Sequence, residues 1–400
     1  MRKITILLLM MLAATPVFSQ AFTPQVSNTT ATLGAIYFVD DNTGYAVGDG
    51  GTILYTSNGG TLWAPQTSGV TANLADVIFI NTTTGYAVGT GGTIIKTSNG
   101  GASWVPLTSG VTSTLCRISV YGNTIYVTGY SGVLLRSTNA GATWTLLPTS
   151  SSTYLYGNCF TDPNTGYIVG YLGTILKTTN AGASWSPLTS GTNMQLLCVF
   201  FTDANNGYAV GGDIPTNTGI VLKTTDAGAT WTQQTFPNNY FGNIRFLDAA
   251  TGFISGGNIT ANTSTILKTT DAGVNWTVQT SGSSRQFGAS FPSFNAGYTC
   301  GLNGTILKTS GINIGIDHLS QENNHVAVFP NPNNGVFSIE TNSNEEKDIL
   351  VYDVLGNIIL SKKQVTADNI SIDITGQPAG IYFVKIVGRN SVSPERIIKQ

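Results

Sequence analysis

KTSNGGASW (Lys96–Trp104) returns in near-copies along the chain, six in all, and the six tryptophans of the protein (Trp63, Trp104, Trp144, Trp185, Trp231, Trp276) each close one copy. Successive tryptophans lie 41, 40, 41, 46 and 45 residues apart. A repeat of about 40 to 50 residues, built of short apolar runs and glycine turns, is the period of a propeller blade of four strands. A second marker keeps the same register: GYAVG at Gly44, Gly85 and Gly207, GYIVG at Gly166, GFISG at Gly252, GYTCG at Gly297, and IYVTG at Ile125 in the third unit. The count is seven.

One unit reads as four strands. LADVIFI (Leu74–Ile80) is an apolar inner strand, NTTTG (Asn81–Gly85) a turn, YAVG the second strand and GTIIKTS the third. NGGAS is then a turn and WVPLTSG the outer strand. Near-continuous apolar strands suit sheets covered on both faces by their neighbours, and Gly, Asn and Asp supply the turn conformations. The seventh unit breaks off after GTILKTS (Gly304–Ser310), but FTPQVSNTTATL (Phe22–Leu33) matches WAPQTSGVTANL (Trp63–Leu74), with Phe22 in the tryptophan slot. The N-terminal segment is therefore expected to supply the outer strand of the last blade, closing the ring and removing its open sheet edges.

These residues carry a resemblance. The box phrase resembles the Asp-box, or BNR, repeat of sialidases and related propellers. That likeness implies an Asp or Asn cap (Asn58, Asn99, Asn139, Asn180, Asp226, Asp271) and a tryptophan packed between sheets. Combined with GYAVGxGGTILKT, the pattern is similar to the photosystem II stability and assembly factor propellers, over roughly residues 21 to 312. Such a likeness speaks for fold more than for activity, because one scaffold hosts many functions.

The two ends read differently. MRKITILLLMMLAATPVFSQ has Arg2 and Lys3, an apolar run from Ile4 to Ala14, and small residues suited to cleavage before Gln20; residues 1–19 are expected to be a signal peptide. No later segment is apolar enough to span a bilayer. Beyond 312 the composition shifts. Residues 313–325 are polar, hold both histidines and read as a linker, and glutamate first appears at Glu322. Residues 326–400 alternate short strands and turns, as in a small Ig-like β-sandwich. Pro330-Asn331-Pro332 with Gly335, VYDVLG ending at Gly356, and PAGIYFVKI around Gly380 and Tyr382 resemble the type A C-terminal sorting domain of the type IX, or Por, secretion system. That resemblance implies the secretion machinery as partner and a secreted or surface destination. The expected fold is thus all-β: a seven-bladed β-propeller (20–312) and a small sandwich.

Charged residues make up 10% of the chain and the formal net charge is −2, which provides no footprint for nucleic acid. The four cysteines form no C-x-x-C pair and are read as buried small apolar residues; two disulfides are the alternative. No metal or cofactor is expected. Residues 21–312 contain neither histidine nor glutamate, which removes Ser-His-Asp and Cys-His catalysis and the glutamate-activated tyrosine of a sialidase. A pair of aspartates would still serve a glycosidase, and Asp49, Asp76 and Asp213 are the ones not assigned to turns or box caps. The favoured reading is a binding module for a glycan or protein. Its candidate contact residues are Tyr130, Tyr154, Tyr156, Tyr171, Tyr240 and Arg285, at the end opposite the boxes, where DIPTNT (Asp213–Thr218) and NITANTS (Asn258–Ser264) lengthen two loops. A structural surface module without a ligand is the third reading. The repeat lysines (Lys96, Lys177, Lys223, Lys268, Lys308, with Arg136) are expected to be solvated strand ends.

Overall fold

A computed structural model of the chain describes residues 22–279, 282 and 284–310, and then 326–329, 333–341, 346–353, 358–367, 369–388 and 392–399. The expected signal peptide (1–19) and linker (313–325), Pro330-Asn331-Pro332 and Gly356 lie outside these. The chain divides into two compact units, Met1–Ile314 and Gly315–Gln400.

The first unit holds seven four-stranded antiparallel sheets. Blade 2 runs Leu74–Phe79, Gly85–Gly89, Ile94–Thr97 and Val105–Leu107 from inside to outside. The inner strands of blades 1 to 7 are Leu33–Phe38, Leu74–Phe79, Leu115–Tyr121, Leu155–Phe160, Gln195–Phe201, Tyr240–Phe246 and Gln286–Ser290. Each packs beside the next and the seventh beside the first, so the ring is closed. The closing strand is Thr23–Gln25, paired antiparallel with Ile306–Ser310 of blade 7 through Thr23↔Lys308, Pro24↔Leu307 and Gln25↔Ile306. Phe22 sits buried with Phe253, Ile266 and Leu307, the place a tryptophan takes in the other blades.

The box turns form as their sequence requires. Asn99 Oδ1 accepts from the amide of Ser103 at 2.9 Å, and the Thr97 hydroxyl accepts from the amide of Gly101 at 2.9 Å. Asp226 and Asp271 fill the same slot in blades 5 and 6. Gly92, in the turn between second and third strands, has φ of +71°, and a Cβ there would stand 1.9 Å from the Val111 carbonyl, so no other residue fits.

Neighbouring blades are cemented by aromatic rings. Phe79, at the end of its inner strand, stacks on Tyr45 of blade 1 at 3.9 Å and meets Trp104 of its own blade edge-on at 6.0 Å. Blades 1, 4, 5 and 6 repeat this with Phe38, Phe160, Phe201 and Phe246. The Phe79 ring lies over Gly85, where a Cβ would come within 2.7 Å of it. Blade 3 explains this glycine by exception. Its inner strand has Val120 in the phenylalanine slot, and the facing residue is Ile125 instead of glycine.

The repeat lysines are not solvated strand ends. Lys96 Nζ and the Tyr86 hydroxyl of blade 2 both donate to the Ala140 carbonyl in the box of blade 3, at 2.8 and 2.9 Å. Lys177 and Tyr167 do the same to Ala227, Lys223 and Tyr208 to Ala272, Arg136 and Tyr126 to Ala181, and Lys308 and Tyr298 to Gly59. Blade 6 departs from the pattern. The blade after it has no box hairpin, since its outer strand comes from the N-terminus, and the tyrosine slot holds Phe253, stacked on Phe291 at 4.4 Å.

In the second unit, a three-stranded sheet (Val326–Phe329, Val336–Thr341, Asn369–Asp373) and a four-stranded sheet share one core of Phe337, Ile339, Ile349, Val351, Ile370, Ile372, Val384, Ile386 and Ile397. The Lys399 ammonium is turned inward and donates to the carbonyls of Ile374, Thr375 and Gln377.

Candidate ligand-binding face and channel

Turns between second and third strands, and the segments leading into each inner strand, gather at the end of the ring opposite the boxes. Tyr130 and Tyr171 open the short turns Tyr130–Gly132 and Tyr171–Gly173 of blades 3 and 4. Tyr154 and Tyr156 flank Leu155, where the blade 4 inner strand begins. The four rings form one cluster. Tyr130 stacks on Tyr154 at 4.3 Å, Tyr171 leans on Tyr154 at 5.9 Å, and Tyr156 meets Tyr130 edge-on at 6.1 Å. Tyr154 and Tyr171 remain 42% and 43% exposed, so both keep open ring surface.

Tyr240, one of the candidate contact residues, is buried together with Phe241 at the start of the blade 6 inner strand. The Arg285 guanidinium, from the edge of blade 7, covers Phe287 at 4.8 Å and Tyr240 at 5.9 Å, which is what shields Tyr240. Burial raises the Tyr240 phenol well above its ordinary value against the pull of Arg285, and burial lowers Arg285. The two long loops clasp each other. Asn217 Nδ2 donates to Asn258 Oδ1 at 3.0 Å, and the Ile259 amide donates to Asn217 Oδ1 at 3.1 Å.

The three candidate aspartates stand on three different blades, in different surroundings. Asp49 is exposed on blade 1. Asp213, on blade 5, accepts from the Thr216 amide and hydroxyl of its own loop at 3.1 and 2.7 Å. Asp76 is buried on the channel side of blade 2. Its carboxylate lies 3.5 Å from Arg117 Nη1 and accepts from the Ile118 amide at 2.9 Å. Burial pushes its pKa up against the pull of Arg117. The box residues, by contrast, are all spent on turns and packing.

The cysteines are free thiols. Cys198 and Cys300 are buried, as read, while Cys116 and Cys159 are only partly so. Burial raises Cys300 and Cys116 to about 12 and Cys159 to about 11. Cys198 moves down: burial opposes its ionisation, but the guanidinia of Arg117 and Arg245 outweigh it, and Arg245 Nη1 sits 3.5 Å from the sulfur. Among the described residues no cluster of His, Cys, Asp and Glu is arranged to hold a metal ion, and no helix is long and apolar enough to cross a membrane.

Two family models match the chain. Residues 67–158 and 147–310 match the photosynthesis system II assembly factor YCF48. This propeller belongs to that family. Residues 327–400 match the secretion system C-terminal sorting domain, which marks the chain as exported through the type IX route to the cell surface or beyond. A structure of YCF48 bound to a D1 peptide is 18% identical, covering 74% of this chain and 99% of that one with a TM-score of 0.59. A GH74 enzyme from Niastella koreensis is 15% identical, covering 94% of this chain and 67% of that one, also with a TM-score of 0.59. At these identities the likeness is one of fold. An endo-acting ulvan lyase of Formosa agariphila is 31% identical in a 105-position alignment that covers 22% of this chain and 20% of the enzyme. The chain thus spans about a fifth of that relative's length.

Proposed function

We propose that the protein is an exported binding module whose propeller grips a glycan through the tyrosine face of blades 3 and 4, without cleaving it. The observation that supports this is the cluster of Tyr130, Tyr154, Tyr156 and Tyr171, which keeps two rings open on a rigid rim. Flat aromatic rings bring large contact area at low conformational cost and stack on the apolar faces of sugars. Among the described residues, the three candidate carboxylates come from three different blades, and two are engaged, Asp213 by its own loop and Asp76 by Arg117 and the Ile118 amide, whereas hydrolysis would need two of them together. An extended peptide is the second reading, supported by the D1 peptide on the YCF48 structure.

Affinity electrophoresis of the full chain through gels carrying different polysaccharides tests this, with each gel afterwards stained for hydrolysis. Retardation without clearing, abolished by Tyr154→Ala with Tyr171→Ala, is the expected result. Clearing would sink the non-catalytic reading. If no polysaccharide retards the protein, the glycan is the wrong ligand and the same double variant goes to a peptide array.

A further inference from the structure

The channel holds a second feature, away from the tyrosine face. Inner-strand residues from the middle to the end of blades 1, 2, 3, 6 and 7 enclose a cavity of about 240 Å³. Its polar lining is Arg117, Arg245, Asp76, Asn243, Tyr37 and Ser290; the rest is apolar, including Ile36, Ile78 and Phe246.

The charges there do not balance. Two guanidinia face one carboxylate, and that carboxylate is engaged by Arg117 and the Ile118 amide. Among the described residues, Arg245 has one protein oxygen at hydrogen-bond distance, the Ile244 carbonyl at 2.9 Å; the same nitrogen reaches the Cys198 sulfur, and the guanidinium lies 5.9 Å over the Phe200 ring. A guanidinium offers five donors in a planar fork suited to carboxylate and phosphate oxygens, so Arg245 has donors to spare toward the cavity. The Ser290 hydroxyl accepts from the Phe38 amide at 3.0 Å, leaving its own proton to give. Tyr37 is engaged, donating to the Phe79 carbonyl at 3.0 Å. An unmatched cation enclosed by protein is costly unless a counter-charge accompanies it.

We propose that this cavity binds one small oxyanion, held by Arg245 and Arg117 with the Ser290 hydroxyl and the Asn243 amide as further donors. The volume suits a phosphate or a short carboxylate and is too small for a peptide. Two cations and apolar walls select charge and size together.

Equilibrium dialysis of the full chain with radiolabelled acetate, and separately with radiolabelled inorganic phosphate, tests the site at fixed ionic strength. One saturable site per chain for either probe is expected. Arg245→Gln should weaken it by about tenfold or more, the scale of a lost charge-assisted hydrogen bond. Arg245→Lys should retain binding, and Asp76→Asn, which removes the competing carboxylate, should tighten it. Circular dichroism checks that each variant is folded. The proposal fails if neither probe saturates on the wild type, or if folded Arg245→Gln binds as tightly. It also fails if binding appears only in Cys198→Ser, because the counter-charge is then the protein's own thiolate. The tyrosine face is untouched by these changes, so loss here leaves the glycan reading standing.

Discussion

Phe22→Ala is the sharpest test of how the ring is held shut. Phe22 is 6% exposed and packs on Phe253, Ile266 and Leu307, while the strand it leads makes three pairs with blade 7. Truncating a buried phenylalanine costs about 3–5 kcal/mol in lost transfer and cavity energy. For a unit of roughly 290 residues the unfolding entropy is about 0.6 kcal/mol per kelvin, so the propeller transition should drop by about 5–8 °C. Differential scanning calorimetry of the full chain reads this directly. The transition of the C-terminal unit should stay where it is and serves as an internal control. Thr23→Ala, at an exposed position on the same strand, should shift the propeller by under about 1 °C. Deleting residues 22–25 should go further and bare the edge of Ile306–Ser310, so that the protein associates as its concentration rises. An unshifted propeller transition in Phe22→Ala would refute closure by this strand.

The tyrosine staples make a graded prediction. Tyr208→Phe leaves Lys223 on the Ala272 carbonyl and should cost about 0.5 kcal/mol, whereas Tyr45→Phe should cost about 1–2 kcal/mol in urea melts, because Tyr55 stands in the lysine slot and the Gly100 carbonyl loses its side-chain donor. Equal costs would show that the lysines do not share the load. Acid should reveal the box caps. Hydrogen bonds from the Thr230 hydroxyl and amide and the Thr224 hydroxyl hold Asp226 at about 2, below its unfolded value, so its contribution is complete above about pH 4 and fades as pH falls through about 2. Asp226→Asn, the residue that blades 1 to 4 already use, should melt like wild type at pH 7 and lose less between pH 4 and 2; parallel melting curves would rule this out.

Much of the propeller was readable because its signals are periodic. Tryptophan spacing fixed the unit, an Asn or Asp five residues before each tryptophan fixed the box, and Phe22 betrayed the closing strand by standing in a tryptophan slot. What escaped reading depends on contacts between blades, which no single repeat displays. Lys96 looks like a solvated strand end until the Ala140 carbonyl of the next blade is seen beside it. Asp76 looks catalytic until Arg117, one blade on, claims it. Tyr240 looks exposed because the arginine that covers it lies across a blade boundary. The Val120 and Ile125 exchange is different: both residues were in plain view, and only the ring of Phe79 resting on Gly85 shows why the two change together.

Phe253 records where the circle was cut. Every other blade reaches forward with a tyrosine hydroxyl to a box carbonyl, and blade 6 has none to reach, because the chain enters and leaves the ring in blade 7. A circular permutant opened in the blade 3 box, between Ala140 and Gly141, would therefore disturb two places at once. Tyr86 and Lys96 would be left facing a free chain end, while a new hairpin joining Ser310 to Phe22 would present a carbonyl to a ring with no hydroxyl. Phe253→Tyr is the compensating change such a permutant would call for, about 30 residues upstream of blade 7 and at neither terminus.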